Sequence, residues 1–343
     1  MRFLSRIFFS TALFLGAAIL RAEEAPPLSP YQPPPNITPT IRIWGDRHVA
    51  ALIEAWATAY RAAHPKTDFA VKLLGNGTAM PALYLGVADL AFFGRDLIVT
   101  DKDGFAHVMK YDPLRIELGT GSLATPGQAP ALVLFVHRDN PLAHLTLAQV
   151  DAIFSSRRAR GAPVAIRTWG DLGLTGEWAR QPIHLYADDT ESMTGLFFQH
   201  TALGDSRIMN WEHFTEFRDI RQPDGTWLDA AAQSLAALRH DRFGLALSNL
   251  RYLSPEVKPL ALATGPGGPY FAPTEATLIS RDYPLTRTLF ACANQPPGQP
   301  LDPKVCAFLR FVLSPEGQRI LARTGAYLAL SPAQAQAQLR KLD

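Results

Sequence analysis

IRIWGDRHVAALIEAWATAYRAAHPKTDFAVKLLGNGTAMPALYLGVADLAFF, residues 41–93, decides the fold. It opens on a strand-like run, Ile41 to Trp44, and then changes period. Val49, Leu52, Ile53, Trp56 and Tyr60 fall at i, i+3, i+4, i+7 and i+11, which is one apolar helical face suited to packing on a sheet. FAVKLL (69–74) reads as a second strand, another helical stretch follows, and ADLAFF (88–93) reads as a third. The order is βαβαβ, so parallel strands covered by helices are expected.

The same alternation continues toward the C-terminus. ALVLFVH (131–137) is an apolar strand, and after the turn RDNPL comes LTLAQVDAIF (145–154), where Thr146 and Gln149 have capping-box spacing and Leu147, Val150 and Phe154 form the buried face. IHLYA (183–187), FGLALSN (243–249) and VKPLALA (257–263) read as further strands, with helical patterns starting near Ser192 and Leu228 between them. Past the turn GPGGP (265–269) come TLIS, TLFACAN and helices carrying Val305, Phe308, Leu309 and Val312. The whole reads as an α/β protein without internal repeats. Its 343 residues, 47% hydrophobic, are enough to bury a large core and suggest two domains.

Toward the N-terminus, Arg2 and Arg6 precede an apolar run from Ile7 to Leu20 that closes on the small residue Ala22, the pattern of a secretory leader. A spanning helix needs about 20 apolar residues, and this run is shorter and gives way to Glu23 and Glu24, so cleavage after Ala22 and export to the periplasm are expected. Residues 23–40 are crowded with prolines and read as a stiff tether, with folded structure starting near Ile41.

The chain carries 33 Lys and Arg against 31 Asp and Glu. Because Arg2, Arg6 and Arg21 sit in the leader, the remainder is close to neutral, and without basic runs it gives no support for nucleic-acid binding. Catalytic signatures are missing too: there is no G-x-S-x-G, H-E-x-x-H, P-loop or G-x-G-x-x-G after a strand, and GTGSL (119–123) reads as a turn. The nine histidines show no metal-ligand spacing. Asp188 and Asp189 are adjacent on an extended segment and point apart, which removes them as an acid/base pair. No enzyme, cofactor or metal is therefore expected. Cys292 and Cys306 are too few for a disulfide scaffold, but one bridge between them suits an oxidising compartment.

NPLAHLTLAQVDAIFSS, TWGDLGL (168–174), TESMTGLFF (190–198), YPLTR (283–287) and FLRFVLSPEGQRILARTGAYLAL (308–330), in that order, resemble the phosphate-binding proteins of ABC transporters, within the two-lobed periplasmic solute receptors. The resemblance runs along most of the chain after the leader. It implies a type II receptor of two doubly wound lobes joined by a two-strand hinge, with lobe one at 41–131 plus 264–343 and lobe two at 132–263. It also implies capture of phosphate by lobe closure, for uptake through an ABC permease or for sensing, by a monomer.

In such sheets ligands bind beyond the carboxyl ends of strands, where loops enter helix N-termini that favour anions. Three loops of lobe one qualify. GDRHV brings Arg47 and His48 to the start of the first helix, and a guanidinium can grip an oxyanion with two parallel bonds. GNGTAMP (75–81) offers Thr78, where the family has a hydroxyl residue. FFGRDL offers Arg95 and Asp96, and the resemblance matches Asp96 to an aspartate that accepts from a protonated phosphate oxygen, which sulfate lacks.

Lobe two departs from the family. Where the family has an arginine, three residues and then Ser-Gly-Thr, this chain has DDTESMT: Ser192 and Thr194 match the hydroxyls, Met193 replaces the glycine and Asp188 stands in the arginine's place. Two readings follow. Either Arg47 and Arg95 supply from lobe one the charge that lobe two lacks, or the pocket takes another small ligand, one that Asp188 can accept a bond from, or none, with the fold serving as a sensor or assembly module.

Overall fold

The computed structural model describes residues 26–34, 40–94, 97–124, 130–325 and 327–343, without the side chain of Arg47. The leader, Arg95 and Asp96 lie outside the described residues. Strands and helices alternate as β1 (Ile41–Gly45), α1 (Ala50–Ala63), β2 (Phe69–Lys72), α2 (Asn76–Tyr84), β3 (Leu90–Phe93), α3 (Val99–Met109) and β4 (Leu114–Thr120). The second lobe follows with β5 (Val133–His137), β6 (His144–Thr146), α4 (Leu147–Phe154), β7 (His184–Asp188), α5 (Met193–Leu203) and β8 (Phe214–Phe217). It continues through β9 (Ile220–Arg221), β10 (Trp227–Leu228), α6 (Ala230–Arg239), β11 (Gly244–Ser248), β12 (Val257–Pro259), β13 (Ala261–Ala263) and α7 (Glu275–Ser280). The chain ends with β14 (Thr288–Ala293), α8 (Pro303–Leu313), α9 (Pro315–Thr324) and α10 (Pro332–Leu339).

The first sheet has the order β2-β1-β3-β14-β4 and the second β12-β5-β11-β7-β8. β1 runs parallel to β2 and β3, as the βαβαβ reading requires, but β14 is antiparallel to both of its neighbours and β5 is antiparallel to β11. These two strands adjoin the interlobe crossings, so the chain enters each sheet from the opposite end. The predicted face of α1 is buried to the last residue: Val49, Leu52, Ile53, Trp56 and Tyr60 are each at most 1% exposed. The predicted capping box starts α4, with Thr146 Oγ1 accepting from Gln149 N at 3.2 Å and Gln149 Oε1 from Thr146 N at 2.9 Å. VKPLALA is not one strand. Leu260 N still donates to Leu134 O, but after Pro259 the chain leaves β5 and pairs through β13 with β6.

Two crossings join the lobes. Gly121 N donates to Arg287 O at 2.6 Å and Leu132 N to Leu285 O at 3.1 Å, so the outgoing and returning segments are hydrogen-bonded to each other. The return comes later than residue 264. Leu278, Tyr283 and Leu285 lie in the core of the second lobe, held there because β13 and the Leu262–Phe271 bridge keep the chain on that lobe.

The proline-rich segment is not a free spacer over its described part. Tyr31 packs edge-on against Phe311 at 5.5 Å between ring centroids, and its hydroxyl lies 2.7 Å from His64 Nε2. Gln336 Nε2 also donates to Pro26 O at 2.6 Å. A single aromatic ring finds an apolar socket on the first lobe, which proline content alone does not reveal.

The expected Cys292–Cys306 bridge does not form, and both residues remain thiols. Alternation along β14 explains this: Ala291 and Ala293 face the cluster against which Cys306 packs, whereas Cys292 faces the opposite side, with Phe93 and Phe105.

Candidate ligand-binding cleft

Between the lobes lies an open cleft of about 790 Å³, floored by the crossings and walled by strand ends from both sheets. On the first lobe, β1 ends at Gly45 and the chain turns through Asp46 into a single 3-10 turn, Arg47–Val49, that runs into α1. His48 lines the cleft with its Nδ1 2.5 Å from Asp46 Oδ1, so this pair holds the turn together. Thr78 is not part of the lining. Its Oγ1 donates to Gly75 O at 2.8 Å inside the α2 turn, and Asn76 takes the place beside the cleft, with Nδ2 3.4 Å from Asp46 Oδ2. Gly75 at φ 109° makes that turn possible, because a side chain is strained there.

On the second lobe, Asp188 ends β7, and Asp188, Ser192, Met193 and Thr194 all line the cleft. The turn between them is pinned from two sides: Asp189 N donates to Phe217 O at 2.8 Å, Thr190 N to Glu216 Oε1 at 2.7 Å, and Gln199 Nε2 to Thr190 O at 2.8 Å. Ser192 Oγ is committed as the N-cap of α5, accepting from Gly195 N at 3.0 Å. Gly195 is required there, since a Cβ would come within 2.3 Å of Asp189 O. The rest of the first turn of α5 opens on the cleft, where N–H groups without intrahelical acceptors favour an anion.

The charges along this cleft differ from the expectation for an anion site. Asp46, Asp188, Asp189, Asp219 and Asp229 line it, against Arg218, Arg251 and Arg287 among the described residues. Most of these acids have partners. Arg218 Nε is 2.6 Å from Asp189 Oδ2, Ala230 N donates to Asp219 Oδ1 at 2.9 Å, and Asp229 Oδ2 accepts from the Tyr252 hydroxyl at 2.5 Å with Arg251 Nη1 at 3.8 Å.

Asp188 is held less completely, with the Thr194 hydroxyl as the hydrogen-bond partner of its carboxyl. Its Oδ1 is buried with no hydrogen-bond partner among the described residues. Burial pushes this carboxyl up to about 7, the negative charges of Asp219 and Asp229 push the same way, and the Thr194 hydroxyl and the Arg287 guanidinium oppose them.

Arg287 is the residue that sequence reasoning passed over. It ends the YPLTR stretch, is 8% exposed, and holds its guanidinium carbon 5.4 Å from the centre of the Phe197 ring at the foot of the cleft. Its one signal in the sequence is its place at the end of YPLTR, a segment of the resemblance, and the return of the chain at that point is seen only in the structure. Arg218, Arg251, Trp227 and Tyr327 also line the cleft and carry no comparable signal. Among the described residues no cluster of three His, Cys, Asp or Glu side chains is placed to hold a metal ion, and no helix is long and apolar enough to cross a membrane.

Comparison with known proteins agrees with this architecture. The model of the PBP superfamily domain matches residues 30–316. The phosphate-binding protein PstS of Pseudomonas aeruginosa is 32% identical over 330 residues, covering 96% of this chain and 94% of that protein. PstS from Borrelia burgdorferi shares the fold with a TM-score of 0.59 at 14% identity, over 85% of this chain and 99% of that one. An ABC-type phosphate transport receptor from Vibrio cholerae does so with a TM-score of 0.56 at 18% identity, over 85% of this chain and all (100%) of that one.

Proposed function

This chain belongs to the PBP superfamily, and on that premise we propose that it is an exported solute-binding protein whose two lobes close on an oxyanion, with phosphate the first choice. The observation that carries the reading is the meeting of two helix starts across one cleft: the Asp46–Val49 turn entering α1 from the first lobe and the Ser192–Thr194 turn entering α5 from the second. Helix N-termini converging on one point favour a compact anion. The relatives named as phosphate-binding proteins make phosphate the choice among such anions.

Arg287 supplies a buried guanidinium at the floor. Ligand meets one lobe first. Rotation about the paired crossings, Gly121 with Arg287 and Leu132 with Leu285, brings the other helix start onto it and excludes water. Nothing in this cycle makes or breaks a covalent bond in the ligand, so the protein is a receptor rather than an enzyme. Its partner is an ABC permease or a sensor in the inner membrane, it works as a monomer, and residues 1–22 are its export leader with cleavage after Ala22.

A second reading, a ligand bearing an amine or hydroxyl, is favoured by one observation, the excess of aspartates over arginines along the described cleft. Thermal unfolding of protein freed of carried-over ligand separates the two. Phosphate and arsenate raise the midpoint under the first reading, whereas a shift with a small polyamine and none with phosphate overturns it.

A further inference from the structure

The acids of the cleft divide by what already holds them. Asp46 is tied to His48 and Asn76, Asp189 to Arg218 and to the N–H of Glu191 at 3.0 Å, Asp219 to the start of α6, and Asp229 to Tyr252 and Arg251. Asp188 has an edge on the cleft and the Thr194 hydroxyl as a partner of its carboxyl, but its Oδ1 is buried without a described hydrogen-bond partner. A buried carboxyl oxygen left in this state is rare in a folded protein and calls for a missing partner.

Each element packed around it presents a charge or a dipole. Thr194 faces it from the first turn of α5 and Arg287 from the returning crossing. Asp219 faces it from the loop before β9 and Asp229 from the entry to α6. The Asp189–Arg218 pair lies next to it, and Asp46 and His48 line the cleft on the other lobe. Two carboxylates and burial thus act against the charged form, with one hydroxyl and one guanidinium acting for it. A dianion entering this space adds to the first group.

We propose that Asp188 serves bound phosphate as a neutral carboxylic acid, donating a hydrogen bond to a phosphate oxygen from the position where the family carries an arginine, so that capture is linked to uptake of a proton. This rests on the phosphate reading of the cleft and deepens it. Above neutrality the free protein holds Asp188 as carboxylate and phosphate is present as the dianion. On binding, one proton from solvent joins Asp188 Oδ1, and the carboxyl then donates to the phosphate without any other bond being made or broken. A donor is kept where the arginine was lost, and the repulsion that an ionised aspartate would exert is removed. The opposite arrangement, an ionised Asp188 accepting from a phosphate hydroxyl, takes up no proton.

Calorimetric titration of the mature protein with phosphate at pH 8, in two buffers of different ionisation enthalpy, counts the protons directly. About one proton taken up per phosphate, a roughly tenfold loss of affinity for each pH unit above neutrality, and loss of both effects in Asp188→Asn with phosphate binding kept or tightened are the expected results. Phosphate binding without proton uptake, or with the same uptake in Asp188→Asn, overturns the inference and leaves the phosphate reading standing. If neither protein binds phosphate at pH 6 or pH 8, the reading of the cleft fails and the inference fails with it. The proton count on the unaltered protein needs no variant to fold.

Discussion

Arg218 Nε lies 2.6 Å from Asp189 Oδ2, so the guanidinium at the rim of the cleft is turned toward the acid beside Asp188 rather than toward its open space. Arg251 is drawn in the same way toward Asp229. Of the described arginines, Arg287 is the one buried at the floor, and its charge reaches Asp188. Among the described residues, the buried positive charge of the cleft therefore lies on the crossing between the lobes, whereas β7 ends on Asp188.

Asp188→Arg restores the family's cation at the end of β7. If the charge has been relocated, phosphate affinity measured at pH 8 is kept or improved, and the change reads as an additional bond to the ligand. Loss of phosphate binding in a variant that still folds by circular dichroism would point instead to a pocket shaped for another ligand.

Much of this fold was legible in the sequence, and the reason is periodicity. The i, i+3, i+4, i+7 face of α1 and the capping box of α4 depend on neighbours in the chain, and both appear as expected. What long-range pairing decides was not legible. Pro259 diverts a run of strand-like residues from β5 to β6, Tyr31 finds a socket on the first lobe, and Cys292 and Cys306 end on different faces of one sheet. In the cleft, Asp188, Ser192, Met193 and Thr194 were named from the resemblance and His48 from the loop that opens the first helix, and all five line it. Thr78 lies outside the lining because its hydroxyl closes its own turn, and Arg287 was passed over because only the return of the chain brings it to the floor.

Asp188 also leaves a mark on stability. Its carboxyl titrates near 7 in the folded protein and near the ordinary aspartate value of 3.8 when unfolded. The folded state therefore binds the extra proton between these limits, and stability falls as pH rises through that window, by about 1.4 kcal/mol for each unit of displacement. Asp188→Asn removes this loss, so its unfolding midpoint exceeds that of the unaltered protein at pH 8 and approaches it at pH 4. Equal midpoints at pH 8 would contradict the assignment.

Gly195→Ala tests how tightly the ligand turn is built. Its Cβ would meet Asp189 O at 2.3 Å, so α5 must shift away from the 188–190 segment. The variant is expected to lose about 1–3 kcal/mol of stability in urea unfolding, together with a measurable fraction of its phosphate affinity.

Docking of the proline-rich segment depends on Tyr31. Tyr31→Ala removes the contacts with Phe311 and Tyr60 and the hydroxyl bond to His64, at an expected cost of about 1–3 kcal/mol. Limited proteolysis reads the consequence: cleavage within residues 26–34 becomes faster in the variant while the lobes stay resistant.

Arg47→Ala weakens phosphate binding by at least tenfold, about 1.4 kcal/mol, if the rim of the first lobe shares the anion with the floor. Equilibrium dialysis with phosphate checks it, and an unchanged dissociation constant would assign the whole positive charge to Arg287.

Capture of phosphate at the floor of the interlobe cleft is tested most directly by calorimetric titration of phosphate into ligand-free protein and into Arg287→Lys and Arg287→Ala side by side. Saturable one-to-one binding by the unaltered protein is predicted, weakened in Arg287→Lys and weakened by at least a further tenfold in Arg287→Ala. Absence of heat and of any thermal shift with phosphate in the unaltered protein, or equal affinity in all three, would contradict it.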